Sequence, residues 1–339
     1  MSFNRENYRR IRQDYETKYL RAREDADRRR SEAEAALPAL RALDRELGTL
    51  GLELMRISME NAGNDAARQQ ALEALRTRNT ELQGLRAQIL LSGGYPADYT
   101  DLRYECDRCS DTGYLDSGAM CSCMREKLVA AGYASSGLGA LLREQRFDNY
   151  SLDYFRNDEK TYRTMSFVLQ TLREYATSFT PGGGAGREAS PNLLLVGGTG
   201  LGKTHLSTAV AKTVLDAGHD VLYASAVGLM GDFEMARFGN SAAGESGFGA
   251  ESTARYFDCD LLIIDDLGTE VSNQFTTSCL YNVINTRLNL RRPTIISTNL
   301  MQDELRRRYW DRITSRLFGE YKILLFLGTD VRAQKVMKK

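Results

Sequence analysis

The run Gly197-Gly198-Thr199-Gly200-Leu201-Gly202-Lys203-Thr204 constrains the fold more than any other stretch of this chain of 339 residues. It follows four apolar residues, Leu193 to Val196, and precedes a helical run from Leu206 to Leu215. Strand, glycine-rich loop and helix form the setting in which such a run wraps a phosphate chain. Glycines let the backbone curl so that successive N–H groups and the helix N-terminus face the anion. Lys203 then places its ammonium on the β- and γ-phosphates, and Thr204 offers its hydroxyl to Mg²⁺. The segment therefore predicts an ATP-type ligand and a parallel α/β sheet.

The remaining strands fit that sheet. Val221–Ala224, Leu261–Ile264, Thr294–Ser297 and Ile323–Leu327 are short, apolar and separated by helical patterns, as parallel strands covered on both faces are. Leu261–Ile264 ends in Asp265-Asp266, and the C-terminal ends of parallel strands are where open α/β sheets bind ligands. Asp265 is expected to hold Mg²⁺ with Thr204, and Asp266 to polarise the attacking water as a general base. Asn299, after Thr294–Ser297, can bond a γ-phosphate or orient water without adding charge. Arg312 and Arg316 stand at i and i+4, on one helix face. A guanidinium reaching a neighbouring subunit's γ-phosphate stabilises transition-state charge. One of the two is expected to serve that role and the other a salt bridge; spacing does not say which.

Upstream, residues 1–94 are rich in Arg, Glu, Leu and Ala, with apolar residues three and four apart: Leu40, Leu43, Leu47, Leu50, Leu54 and Ile57, then Leu72, Leu75, Leu82, Leu85 and Ile89. This is helical, seam-like periodicity, and Asn61 to Asp65 suit a turn between two packed helices. Pro38 is expected to kink or split the first. Residues 95–137 hold Cys106 and Cys109 as a CxxC and Cys121 and Cys123 as a CxC. Four thiolates at this spacing suit tetrahedral Zn²⁺, which would organise a segment too small for its own core. An iron–sulfur cluster and a redox switch are the rival readings. Cys259 and Cys279 sit in apolar, core-like contexts. Residues 138–339 form the nucleotide domain.

Lys and Arg balance Asp and Glu at 45 each, which excludes a uniformly basic nucleic-acid coat and leaves any DNA contact to a local patch. Met1 to Arg10 lack the apolar core of a signal peptide, and no run approaches the roughly 18 apolar residues of a membrane span. A cytoplasmic protein without membrane contact is expected, its cysteines reduced or metal-bound.

The segments GGTGLGKTHLS, LLIIDDLGTE, TIISTNL and DRITSRL together resemble the AAA+ helicase loaders of bacteria, the DnaC/DnaI type, over about Phe147 to Arg332. Tyr95 to Tyr99 and the cysteine cluster resemble the zinc-containing forms of those loaders. Asp265-Asp266, where most AAA+ ATPases carry Asp-Glu, is similar to this subfamily. The resemblance implies slow ATP hydrolysis and an N-terminal region that binds the hexameric replicative helicase. It also implies engagement of single-stranded DNA and homo-oligomerisation on ATP. It assigns Arg316 as the arginine finger with Arg312 close by, and Arg332 as a second sensor arginine. Residues 227–257 would be a helical insertion near DNA, with Phe233, Phe238 and Arg237 as candidate contacts. Two other functions share the motifs. One is an IstB-type transposase helper, against which the cysteine cluster speaks. The other is a non-catalytic adaptor in which nucleotide only stabilises the fold.

Overall fold

In the computed structural model, which describes residues 3–60, 65–139, 141–182, 188–238 and 248–337, the five apolar runs pair into one parallel sheet. The strands are β1 (Asn192–Gly197), β2 (Val221–Ser225), β3 (Leu261–Leu267), β4 (Thr294–Thr298) and β5 (Tyr321–Phe326), in the spatial order β2-β3-β4-β1-β5. The strand that feeds the phosphate loop thus lies between β4 and β5. Four strands begin where the sequence predicts, within a residue. β5 begins two residues early, at Tyr321, and ends at Phe326. It is an edge strand whose Ile323 and Leu325 face out, so its apolar letters do not mark its paired length.

Alternation of side chains across a strand splits the interior into two layers. Leu193, Leu195, Ile263, Ile295 and Leu324 pack beneath α6 (Glu159–Thr177) and α7 (Lys203–Asp216). Leu194, Leu262, Ile264 and Ile296 pack against α8 (Ala226–Phe238), α9 (Phe248–Asp258), α10 (Gln274–Asn289), α11 (Gln302–Arg308) and α12 (Asp311–Gly319). α13 (Val331–Met337) follows β5. A charged side chain is built into the second layer. Arg287 of α10 is fully buried and donates to Tyr256 O, Phe257 O, Cys259 O, Pro293 O and Thr294 Oγ1 at 2.8–3.3 Å. It thereby serves carbonyls at the C-terminal end of α9, where a cation also meets the negative end of the helix dipole.

Three helices precede this domain: α1 (Arg5–Ala36), α2 (Pro38–Glu60) and α3 (Asp65–Ser92). Pro38 splits the first predicted helix and becomes the first residue of the next, where its missing N–H costs nothing. α2 and α3 pack together. Leu40, Leu43, Ile57, Leu82 and Leu90 are buried, but Leu54 and Leu85 of the predicted seam are about half exposed, so the seam is not continuous. Arg86 and Arg30 meet the buried carboxylate of Asp44 at 2.8 and 3.3 Å. α4 (Ser122–Ser135) and the single turn α5 (Leu141–Glu144) follow.

The chain divides into two compact units, residues 12–123 and residues 1–11 with 124–339. The helices and the cysteine segment group together in the first. The opening turns of α1 group with the nucleotide domain because Asn4 Nδ2 donates to Asp220 and Asn7 Nδ2 to Ser135 Oγ, at 3.2 and 2.9 Å. Among the described residues, no helix is long and apolar enough to cross a membrane.

Candidate nucleotide site and cysteine cluster

The phosphate loop leaves β1 and enters α7 through Gly202, which has φ +91°. A side chain here would be strained and would also meet the Tyr150 ring, 2.6 Å from its Cβ. At Gly200, with φ +70°, a Cβ would fall 1.8 Å from the Asp330 carboxylate. The loop is therefore clamped from outside, and Val331 N donates to Gly200 O at 3.1 Å.

Lys203 is buried, and its ammonium donates to Gly197 O, Gly198 O and Asn299 Oδ1 at 2.7, 2.7 and 2.6 Å. All three of its protons are engaged. Burial holds its pKa below the ordinary lysine value, with Asp266 and Asp265 pulling the other way. Asn299 is thus brought to the centre of the site, against the lysine.

The two aspartates are separated by backbone geometry. Neighbours in a strand point to opposite faces. Here the pairing slips between Ile264 and Leu267, and Asp266 takes φ +56°. Both carboxylates stay at one end of the sheet as a result. Asp265 is buried and accepts from Thr204 Oγ1 at 2.9 Å, from the Tyr223 hydroxyl and from Ser297 Oγ. Ser297 Oγ also accepts from the backbone N–H of Asp266 at 2.9 Å, so a single hydroxyl on β4 fixes both acids. Burial, then the charge of Asp265, raises the pKa of Asp266, while Lys203 and Arg332 lower it. The Thr204 hydroxyl and Asp265 carboxylate converge as oxygen donors suited to Mg²⁺.

A cavity of about 360 Å³ extends from this end of the sheet, lined on one side by Thr199 to Thr204, Asp266, Asn299 and Arg332. Of the predicted residues, Thr199 to Thr204, Asp266, Asn299 and Arg332 therefore share one site, with Asp265 bonded to Thr204. Arg312 and Arg316 are not among its lining residues. Arg312 is exposed on α12. Arg316 donates to Asn285 Oδ1 at 2.7 Å and lies over the Tyr281 ring at 4.8 Å.

The cavity is also lined by Gln145, Asn149, Tyr150, Ser151, Tyr154 and Phe155, with His205, residues that no sequence motif marks. These residues lie in and around two single 3₁₀ turns, Phe147–Asn149 and Asp153–Phe155, too short to show periodicity. The Tyr150 hydroxyl donates to Leu201 O at 3.1 Å, and His205 Nε2 bonds Arg146 O at 2.8 Å. This strap is thereby tied to the loop and to α7. Tyr223 and Ser297 were likewise unassigned; their signal was only their place beside or opposite the acids.

In the other unit, the sulfurs of Cys106, Cys109, Cys121 and Cys123 all lie within 4.8 Å of one another. Cys106–Cys121 and Cys109–Cys123 are 3.9 and 3.6 Å apart. A tetrahedral zinc with Zn–S near 2.3 Å requires sulfurs about 3.8 Å apart, close to the separations of these two pairs, so the cluster could hold a metal ion. Asp111 braces the first pair, accepting from the N–H groups of Glu105 and Cys106 at 2.8 and 3.0 Å. The buried Tyr15 hydroxyl faces Cys123. Cys259 and Cys279 are buried in the second core layer, as expected. Phe233 packs on Tyr256 and Phe257, with ring centroids 5.7 and 6.2 Å away. It is partly buried at the edge of the second core layer. Arg237 lies over Phe275 at 5.0 Å; the Phe238 side chain lies outside the described residues.

Residues 186–317 match the family described as IstB-like ATP binding protein. The chain is 23% identical to the replicative helicase loader DnaC of Escherichia coli K12 over 207 residues, 61% of this chain and 76% of that one. It is 28% identical to the chromosomal replication initiator protein DnaA of Limosilactobacillus fermentum over 167 residues, 49% of this chain. It spans only about a third, 35%, of that initiator's length. A crystal structure of the DnaC helicase loader superimposes with a TM-score of 0.44 and 21% identity, covering 54% of this chain and 97% of that one. Over its nucleotide domain the chain is thus similar to the IstB-like ATP-binding proteins and to the AAA+ replication protein DnaC.

Proposed function

We propose that the chain is an ATP-hydrolysing loader of a replicative DNA helicase, acting in the bacterial cytoplasm. The observation that carries this reading is the joined set Lys203–Asn299 and Thr204–Asp265, with Asp266 beside it. Loading in particular is supported by the likeness to DnaC, of which the chain covers about three quarters, 76%. Loop N–H groups and Lys203 hold the β- and γ-phosphates. Thr204 and Asp265 would hold Mg²⁺, which would supply charge screening for those phosphates. Asp266 takes the proton of the attacking water, and Asn299 orients the γ-phosphate or that water. Arg332 lines the same site as a second sensor. Arg316 or Arg312, both outside this chain's own cavity, would complete the site of a second copy. Helices α1 to α3 bind the helicase, zinc at the four cysteines organises the adjoining segment, and the nucleotide domain meets single-stranded DNA.

Co-purification with the host's replicative helicase tests the reading. ATP-dependent association is expected; no association with or without ATP would end it. A second reading is favoured by the match to the IstB-like family: an ATPase that assists a transposase. Capture of a transposase in place of the helicase would select it.

A further inference from the structure

The carboxylate of Asp265 is held by three hydroxyls from three different elements. Its Oδ1 accepts from Ser297 of β4, and its Oδ2 accepts from Thr204 of α7 and from Tyr223 of β2. Two of these hydroxyls have a second task. Ser297 Oγ also takes the Asp266 N–H, at 2.9 Å, and Thr204 is the loop residue that would offer its oxygen to Mg²⁺. Among the described residues, the Tyr223 hydroxyl bonds only Asp265.

Tyr223 is built to deliver that one bond. Its backbone pairs with β3 opposite Ile263, and its N–H donates to Ser136 O at 2.8 Å. Its ring packs against the first core layer. The phenol is thus anchored at its base and along its ring, and its oxygen reaches a carboxylate two residues further along the neighbouring strand. A phenylalanine would fill the same space, so packing alone does not call for the hydroxyl. Tyr223 is not among the lining residues of the cavity, so it acts on the site through Asp265.

A hydroxyl carries one hydrogen and two lone pairs. While the Thr204 hydrogen points at Asp265 Oδ2, the Thr204 lone pairs are left for a cation. That arrangement lasts only as long as the carboxylate keeps its orientation. A second donor on the same oxygen opposes its rotation.

We propose that Tyr223 is a positioning residue for the metal: its hydroxyl holds Asp265 Oδ2 against Thr204 and thereby sets how tightly the site takes a divalent cation with the nucleotide. The inference rests on the nucleotide reading above and deepens it.

The test is titration of Mn²⁺, read by electron spin resonance of the free ion, into the full chain holding a substoichiometric amount of ADP, for wild type and Tyr223→Phe. ADP binding without metal is measured alongside by calorimetry. Loss of one hydrogen bond to the carboxylate, with two others kept, is expected to weaken Mn²⁺ binding about 5- to 30-fold. ADP affinity without metal should stay within about twofold. Turnover should recover at saturating Mg²⁺, an effect on the metal concentration needed and not on the maximal rate. An Mn²⁺ affinity within about twofold of wild type would overturn the inference. So would an equal loss of ADP binding with and without metal, which marks general damage. If wild type itself binds no ADP, the nucleotide reading falls and takes this inference with it. If wild type binds ADP but no Mn²⁺ beside it, the nucleotide reading stands and the role of Tyr223 falls alone.

Discussion

Asn299→Ala separates two roles that the same side chain would play. Its amide oxygen takes one of the three Lys203 protons, at 2.6 Å. The other two go to loop carbonyls fixed by the backbone, so Asn299 is the partner that must give way when a phosphate arrives. A hydrogen bond to a charged group contributes roughly 1.5–3 kcal/mol net, and water recovers part of that in the variant. ADP has no γ-phosphate for Asn299 to contact, so only the competition is felt. The variant should bind ADP up to about tenfold tighter, since tenfold corresponds to about 1.4 kcal/mol. Turnover should move the other way, falling about 10²- to 10³-fold, as for loss of one preorganised donor at a transition state. Calorimetric titration with ADP and single-turnover phosphate release measure the two effects. General damage to the site would weaken both. ADP affinity that falls together with turnover would refute the reasoning and make Asn299 a scaffold residue.

Asp266, with its pKa raised by burial and by Asp265, must be ionised to accept a proton. Turnover should therefore fall with decreasing pH, starting above the range where an exposed aspartate titrates, while ATP binding persists. Asp266→Asn should abolish turnover and keep ATP affinity in a filter-binding assay; an unchanged rate would point to another base. Replacing Cys106 and Cys109 by Ser should release about one equivalent of zinc per chain, read by metal analysis, and a metal-free wild type would remove the claim. Arg287→Met leaves Tyr256 O, Phe257 O and Thr294 Oγ1 without the donor they now have. A loss of about 3–5 kcal/mol is expected, from several buried acceptors left unsatisfied at roughly 1–3 kcal/mol each, seen as lost amide-exchange protection in β3 and β4; native protection would contradict it.

The sheet was legible because a buried parallel strand reads as an unbroken apolar run, and Leu193–Val196 and Leu261–Ile264 are that clear. The loop, Asp265, Asp266 and Asn299 were legible because each ends such a run. Whatever depended on one element meeting another was not. The strap with Gln145 and Tyr150 lacks periodicity and gains meaning only by lying across the loop from α7. The helical seam was read too far: Leu54 and Leu85 keep the spacing but stand about half exposed, at 45% and 48%. The packing of Phe233 on the Tyr256 and Phe257 rings was not legible either, because those partners lie on a different helix.

The slip between β3 and β4 carries a consequence for how such a site can change over time. The left-handed region costs an ordinary L-residue about 1–2 kcal/mol and an aspartate less, and the Ser297 hydroxyl on the next strand bonds the Asp266 N–H there. The two acids and that serine therefore form one heritable unit spread over two distant stretches of sequence. Ser297→Ala would pass for a harmless small-for-small exchange, yet it frees the strand to drift back toward regular alternation and turn one carboxylate away. Grafting β3 alone into a related scaffold would transplant the letters of the site without its geometry.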